Sequence, residues 1–290
     1  MLDALRPQPG GIYLDGTLGA GGYAEAILTA SDPDGVVVGL DLDAEAVARA
    51  KERLARFGTR FLSRHAGFHE ASEVLAELGI VRVDGAVLDL GLSSDQIENP
   101  ARGFSFALEG PLDMRFDADS GQPLAEFLNA VDAKELERVI AVYGEERYSR
   151  RIARGLVEAR RRGAPSTTVE LARLVARLVP KREPRIHPAT RTFQALRIAV
   201  NHELDNIERG LDEIPKLLKP GGRFCVVSYH SLEDRLVKTS FREKKKDPRN
   251  WVVVTPRPIR PSADEVRRNP RARSAKMRVL EAAATPRQER

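Results

Sequence analysis

Cysteine is almost missing from this chain. Cys225 is the single one among 290 residues, which excludes an intramolecular disulfide and any cysteine-cluster zinc site, and no metal is expected. Without a disulfide framework the expected compartment is the cytosol. Long hydrophobic runs are missing too. No apolar stretch approaches the roughly 20 residues that a membrane-spanning helix needs, so no membrane partner is expected. The opening residues, Met1-Leu2-Asp3-Ala4-Leu5-Arg6-Pro7, lack the basic-then-apolar order of a secretory signal. Internal repeats are absent. What is present, 42% hydrophobic and 31% charged residues, suits a globular chain rather than a disordered one. The length allows one large domain or two smaller ones.

The net charge of +5 is unevenly spread. Residues 147–197 carry fourteen Lys/Arg against three Asp/Glu, and residues 235–290 carry seventeen against six. The rest is acidic, with sixteen basic and thirty-three acidic residues. An acidic body with two basic segments fits a polyanion met at two places. Solvated helix faces and a basic tail fit the charges equally well.

Along the chain, strand-like and helix-like patterns alternate from Ile12 to Gly91. Ile12–Leu18 reads as a strand and Gly22–Ala30 as a helix. Val36–Asp41 is a short apolar run of the kind buried in a parallel sheet. Ala44–Phe57 has helical spacing, Arg60–Ser63 is a candidate strand, Glu70–Leu78 a helix, and Ala86–Leu90 another buried strand. This order implies right-handed crossovers and a doubly wound α/β sheet. Residues 92–125 look irregular. Helical patterns follow at Ala133–Tyr143, Tyr148–Arg162, Thr168–Val179 and Pro188–Leu218, with Thr167 or Thr168 as a cap for the third. The turn signal Lys219-Pro220-Gly221-Gly222 restarts the sheet pattern. Arg223–Tyr229 reads as a strand and Ser231–Lys244 as a helix, with Trp251–Thr255 and Lys276–Leu280 as final strands. The simplest organisation is a discontinuous sheet domain, 1–101 with 191–290, and a helical insertion over 102–190.

Four motifs fall at the ends of strands, where doubly wound sheets bind ligands. Asp15-Gly16-Thr17-Leu18-Gly19-Ala20-Gly21-Gly22-Tyr23 joins a strand to a helix. It departs from the dinucleotide fingerprint, because Ala24 stands where the third glycine belongs. Asp15 would repel a pyrophosphate but suits a cationic ligand such as a sulfonium, which favours S-adenosyl-L-methionine over a nicotinamide dinucleotide. In Asp41-Leu42-Asp43, Asp41 is the candidate acceptor for ribose hydroxyls and Asp43 the candidate helix cap. Asp89-Leu90-Gly91-Leu92-Ser93-Ser94-Asp95-Gln96 places Asp89 where it can face an exocyclic amine or the cofactor. In Ser228-Tyr229-His230-Ser231-Leu232-Glu233-Asp234-Arg235, Ser231 with Asp234 reads as a helix cap, while His230 stays a candidate substrate contact. Further along, His187–Gln194 and Asn269–Lys276 combine basic and polar groups. Their arginines suit phosphate contacts or a plain charged surface. Phe104 and Phe106 could stack on a base, but they suit core packing of the insertion at least as well.

Taken together, these segments closely resemble the RsmH (MraW) family of 16S ribosomal RNA methyltransferases, which act on the exocyclic amine of one cytidine in the decoding centre. The resemblance covers nearly the whole chain. It rests on Asp15–Tyr23, Asp89–Gln96, Arg102–Arg115, Tyr143–Ala153, His187–Gln194, His230–Arg235 and Asn269–Ser274. It implies a class I (Rossmann-like) methyltransferase sheet with an inserted, mainly helical domain for RNA recognition. It also implies S-adenosyl-L-methionine as cofactor and 16S rRNA, within the small ribosomal subunit, as partner. The family's cofactor contacts fall on Gly21, Gly22, Tyr23, Asp41, Phe68, Asp89 and Gln96. Position 23 is usually histidine in the family. Asp89 is the candidate catalytic acceptor, and Phe104, His187, Arg191, His230, Arg271 and Arg273 are candidate substrate contacts.

Rival chemistries differ in the groups they need. Carbon-5 methylation of cytosine requires a thiolate, and Cys225 lies in an apolar strand pattern with no neighbouring His or Lys. DNA amino-methyltransferases generally carry a Pro-Pro-aromatic loop where this chain has Asp89-Leu90-Gly91-Leu92. A non-catalytic RNA-binding assembly factor would not need acidic and glycine positions at both cofactor loops.

Overall fold

A computed structural model describes residues 1–163, 165–180 and 187–284. The chain opens with α1 (Leu2–Leu5), β1 (Ile12–Asp15), α2 (Gly22–Ala30), β2 (Val36–Asp41) and α3 (Ala44–Arg53). Next come β3 (Phe61–His65), α4 (Ala71–Glu77) and β4 (Val83–Asp89). A helical stretch follows: α5 (Ser94–Glu98), α6 (Leu124–Ala130), α7 (Ala133–Gly144), α8 (Ser149–Arg160), α9 (Thr168–Leu178) and α10 (Thr190–Val200). The chain then forms α11 (Glu203–Lys216), β5 (Leu218–Ser228), α12 (Ser231–Lys244), β6 (Trp251–Val253), α13 (Ala263–Arg268) and β7 (Lys276–Ala282). No helix among the described residues is long and apolar enough to cross a membrane.

These elements fold as two units, one of Met1–Gly91 with the chain from Leu204 onward, the other of Leu92–Glu203. The second unit starts ten residues before and ends thirteen residues after the 102–190 expected from sequence. At its far end the reason is packing: Phe193 and Leu196 of α10 are buried in the helical core.

In the first unit, seven strands form one sheet in the order β3-β2-β1-β4-β5-β7-β6. The pairs among β1 to β5 are parallel, and β7 runs antiparallel between β5 and β6. Alternation along each strand sends its residues to two separate cores. Leu14, Val38, Leu88 and Phe224 join Leu75 of α4, Leu211 of α11 and Phe241 of α12. Tyr13, Val37, Val87 and Cys225 join Ile27 and Leu28 of α2 and Ala50 of α3. Both faces are covered, which is why Val36–Leu40 and Ala86–Leu88 carry no alternating polar residues. The strand order reverses at β1, opening a crevice at the carboxyl ends of β1 and β4.

In the second unit, α6 to α10 bury Leu124, Ile140, Ile152, Val175 and Phe193 around Met114 and Leu112. Asn201 ties the loop ahead of α6 to this core. Its Oδ1 accepts the Phe116 N–H at 2.7 Å, and its Nδ2 donates to the Met114 carbonyl at 2.7 Å. The helix expected over Pro188–Leu218 is two helices, broken at Asn201-His202, where His202 has a φ of 50°. The strand expected to reach Leu18 stops at Asp15, where the glycine loop begins.

Candidate cofactor and active site

The carboxyl ends of the parallel strands gather the chemistry. β1 ends at Asp15, β2 at Asp41 and β4 at Asp89, and Asp15 lies in register with Gly39 of β2 and Val87 of β4. The loop after β1 turns into α2 through Gly21, the N-cap, whose left-handed φ of 81° favours glycine. A Cβ placed on Gly22 would meet nothing within 4 Å. Packing within the protein therefore does not demand glycine there. The open position leaves room for a ligand to approach the backbone closely.

Asp41 holds this loop. Its Oδ2 accepts the Gly19 N–H at 2.7 Å, and its Oδ1 accepts the Asp43 N–H at 2.9 Å. Asp43 caps α3, as expected, accepting from the amides of Glu45 at 3.1 Å and Ala46 at 3.3 Å. Asp15 is fully buried, with Oδ1 accepting the Thr17 N–H at 3.3 Å and Oδ2 left without a hydrogen-bond partner. Burial, reinforced by the nearby charges of Asp89 and Asp41, pushes the Asp15 carboxyl up to about 7. An orphaned buried carboxylate oxygen beside an open glycine turn is what a cationic ligand would satisfy.

Asp89 sits at the focus of three segments. Its backbone N–H donates to Thr17 Oγ1 at 2.6 Å, and its Oδ1 accepts the Tyr229 hydroxyl at 2.9 Å. The phenol of Tyr23, from the first turn of α2, also acts on this carboxylate and favours its charged form. Desolvation raises the Asp89 carboxyl to about 6 against the opposing effect of both phenols, with the Glu233 charge adding to the rise. The phenols of Tyr23 and Tyr229 are themselves pushed up, by burial first and by the Asp89 charge next. Behind them, Glu233 is wholly buried, and its Oε2 accepts the amides of Tyr229 at 2.7 Å and His230 at 3.1 Å. Phe68 opens the turn after β3 and lies beside the loop. A Cβ on Gly16 would come within 2.9 Å of the Phe68 Cβ.

Gly21, Gly22, Tyr23, Asp41, Phe68 and Asp89 thus share one edge of the first unit. The remaining candidates stand otherwise. Gln96 belongs to the second unit, where it closes a capping box with Ser93 at 3.1 Å in each direction. Phe104 is only 8% exposed and stacks on Phe116 at 5.6 Å, so core packing, the other reading of this ring, is the one the structure bears out. Phe106 likewise packs against Phe193 at 4.8 Å. His187 and Arg191 are exposed in the second unit, and Arg271 and Arg273 are exposed in the first. His230 is the N-cap of α12, with Glu233 at the third helical position, so the cap expected of Ser231 and Asp234 lies one residue earlier. Asp234 pairs instead with Lys276 at 3.0 Å and Arg278 at 2.8 Å.

Sequence reasoning missed Thr17, Tyr229 and Glu233 as members of the site. The signal was present for two of them: Tyr229 directly follows β5, and Glu233 fits a box three residues after His230. Cys225 is fully buried in β5 and its thiol is pushed up to about 12, so it supplies no nucleophile.

A doubly wound sheet of this order, ending in a glycine loop and acidic strand ends, defines a class I, Rossmann-like methyl-transferring enzyme. This chain belongs to the MraW methylase family, whose model matches residues 1–283. It is similar to proteins named ribosomal RNA small subunit methyltransferase H. The one from Syntrophobacter fumaroxidans is 50% identical over 301 residues, covering 98% of this chain and 94% of its own. That from Citrifermentans bemidjiense is 48% identical over 298 residues, covering 97% and 95%. That from Thermomicrobium roseum is 49% identical over 294 residues, covering 97% and 90%.

Proposed function

We propose that this protein transfers a methyl group from S-adenosyl-L-methionine to the exocyclic amine of a decoding-centre cytidine in 16S rRNA, within the small ribosomal subunit. The observation that carries this reading is the convergence of Asp15, Asp41 and Asp89 around an open glycine turn. The relatives' shared name supports the RNA substrate. When bound, the cofactor supplies a methyl group activated by a positively charged sulfur. Asp15 offers the charge that neutralises such a cation, and Asp41 accepts hydrogen bonds from ribose hydroxyls. Gly21 and Gly22 let the backbone approach the ligand, and Tyr23 and Phe68 complete its contacts on the first unit.

The cytosine amine is conjugated with its ring and is a poor nucleophile. Asp89 orients it by accepting a hydrogen bond, and takes its proton as the new nitrogen–carbon bond forms. A base must leave its stack to reach such a pocket. His187, Arg191, His230, Arg271 and Arg273 contact the RNA, and the helical unit recognises it. On this reading the protein works in the cytosol, where small subunits are assembled.

Transfer of labelled methyl to unmodified small subunits, followed by mapping of the modified nucleotide, tests the proposal. Incorporation at one decoding-centre cytidine is expected. Cofactor binding at saturation with no incorporation would instead indicate a non-catalytic assembly factor.

Asp15 adds a pH dependence. A cationic ligand favours the ionised carboxylate, whereas the free protein holds the proton up to about pH 7. Affinity for S-adenosylmethionine therefore rises with pH, by about tenfold between pH 6 and pH 8. S-adenosylhomocysteine has the same amino and carboxyl groups without the sulfonium charge, and its affinity should rise less. Calorimetry on both ligands checks this. In Asp15→Asn the difference between their pH profiles should vanish. If it persists, the carboxylate does not face the sulfur.

A further inference from the structure

The outward face of α8 carries an arginine stripe that the site does not use. The helix buries Ile152, Ala153 and Leu156 on one side. Arg150, Arg151 and Arg154 are exposed on the other, and Arg161 continues the row at the C-cap, still in helical conformation. At about 100° per residue, Arg150, Arg154 and Arg161 fall within about 40° of one another, with Arg151 about 60° further round. The row from Arg150 to Arg161 is roughly 16 Å long at 1.5 Å per residue.

These four guanidinium groups have no ion-pair or hydrogen-bond partner among the described residues. Other arginines of the same unit are engaged. Arg160 donates to the carbonyls of Leu128 and Val131 at 2.6 Å, closing the end of α6. Arg162 pairs with Glu158 at 2.8 Å, which ties up the one carboxylate on α8 itself. Arg154 and Arg161 also help line a shallow open hollow with Ala133, Val157 and Glu158. Like charges held along one rigid face repel each other, so the face favours a partner with regularly spaced negative charge. Every member is arginine, whose planar fork matches phosphate oxygens in a bidentate way.

We propose that this face of α8 is a docking track for the sugar–phosphate backbone of RNA, acting on substrate affinity and not on the chemical step. The proposal rests on the RNA-methyltransferase reading and adds a contact surface to it. The test is a triple variant, Arg150→Gln, Arg154→Gln and Arg161→Gln, at exposed positions where an unchanged thermal midpoint is expected. Its affinity for protein-free 16S rRNA should fall by about tenfold at moderate salt. The slope of log Kd against log salt should shrink by about two, since each phosphate contact on a single strand contributes about 0.7. KM for the RNA particle should rise, while kcat and calorimetric cofactor affinity stay at the wild-type level.

Unchanged RNA affinity and salt slope in the folded variant, with wild-type protein active, overturn the track and leave the function intact. Weaker binding to assembled subunits with unchanged binding to naked RNA also overturns it, and points to a ribosomal protein as the partner. A wild-type protein that methylates no small-subunit RNA overturns the reading beneath it.

Discussion

Asp89→Ala should lower single-turnover methyl transfer by about two to four orders of magnitude, the range ascribed to a positioned proton acceptor. RNA affinity should change by less than about threefold, because the lost interaction strengthens only as the amine begins to react. The geometry supports an effect of this size. Asp89 is held from two directions, its carboxylate by the Tyr229 hydroxyl at 2.9 Å and its backbone N–H on Thr17 at 2.6 Å. A group so fixed has little orientational freedom to lose when substrate arrives. Its pKa of about 6 lies above the ordinary aspartate value, so it is mostly ionised at neutral pH yet basic enough to accept a proton. In the wild type the rate should fall as pH drops through about 6, as the carboxylate becomes protonated.

Asp89→Asn separates two roles. The amide oxygen can still orient the amine but cannot take its proton. A nearly wild-type rate for Asn with a large loss for Ala would assign orientation alone. Equal losses of turnover and RNA affinity, with a lowered thermal midpoint, would instead mark a folding defect.

Asp89 could be singled out from sequence because of where it stands. An apolar run too short for a helix, ending in an acid and a glycine, reads as a buried parallel strand with its functional residue at the carboxyl end. The same logic located Asp15 and Asp41, and the capping chemistry of Asp43 needed only its place before a helical pattern. Tertiary detail was less legible. The break at Asn201-His202 has no glycine or proline to announce it, and its left-handed residue, His202, is not one that composition marks as a turn former. The seven-residue α6 begins directly after Pro123 in a segment rich in turn formers, too short for periodicity to show. Phe104 has the same composition signal as a stacking platform, and only its burial against Phe116 decides between the two. The excess of arginine near residue 150 was visible as charge. Its confinement to one face, and the separate structural job of Arg160, required the helix and its neighbours.

Asp41, proposed to hold the ribose, also holds the glycine loop, which changes what its removal should do. Asp41→Ala is expected to weaken S-adenosylmethionine binding by about 10- to 100-fold, from loss of charge-assisted hydrogen bonds worth about 1.5–3 kcal/mol. The structure adds that both carboxylate oxygens already accept backbone amides, Gly19 at 2.7 Å and Asp43 at 2.9 Å. A carboxylate oxygen can accept more than one hydrogen bond, so holding the loop does not by itself exclude a ribose contact. Alanine removes both tasks, leaving the Gly19 amide without its partner and the glycine loop free to drift. Asn at this position keeps one acceptor oxygen but turns an NH2 toward one of the two amides, a donor facing a donor. It should therefore lose affinity to an intermediate degree and not behave as wild type. Calorimetry with both variants orders them, and turnover at saturating cofactor tells the tasks apart. If kcat recovers once cofactor is saturating, Asp41 acts through binding alone. If kcat stays low, the loop it anchors also sets the position of the reacting groups, because Thr17 of that loop holds Asp89. Wild-type affinity in Asp41→Ala would mean that the ribose lies elsewhere and that the carboxylate serves only the loop.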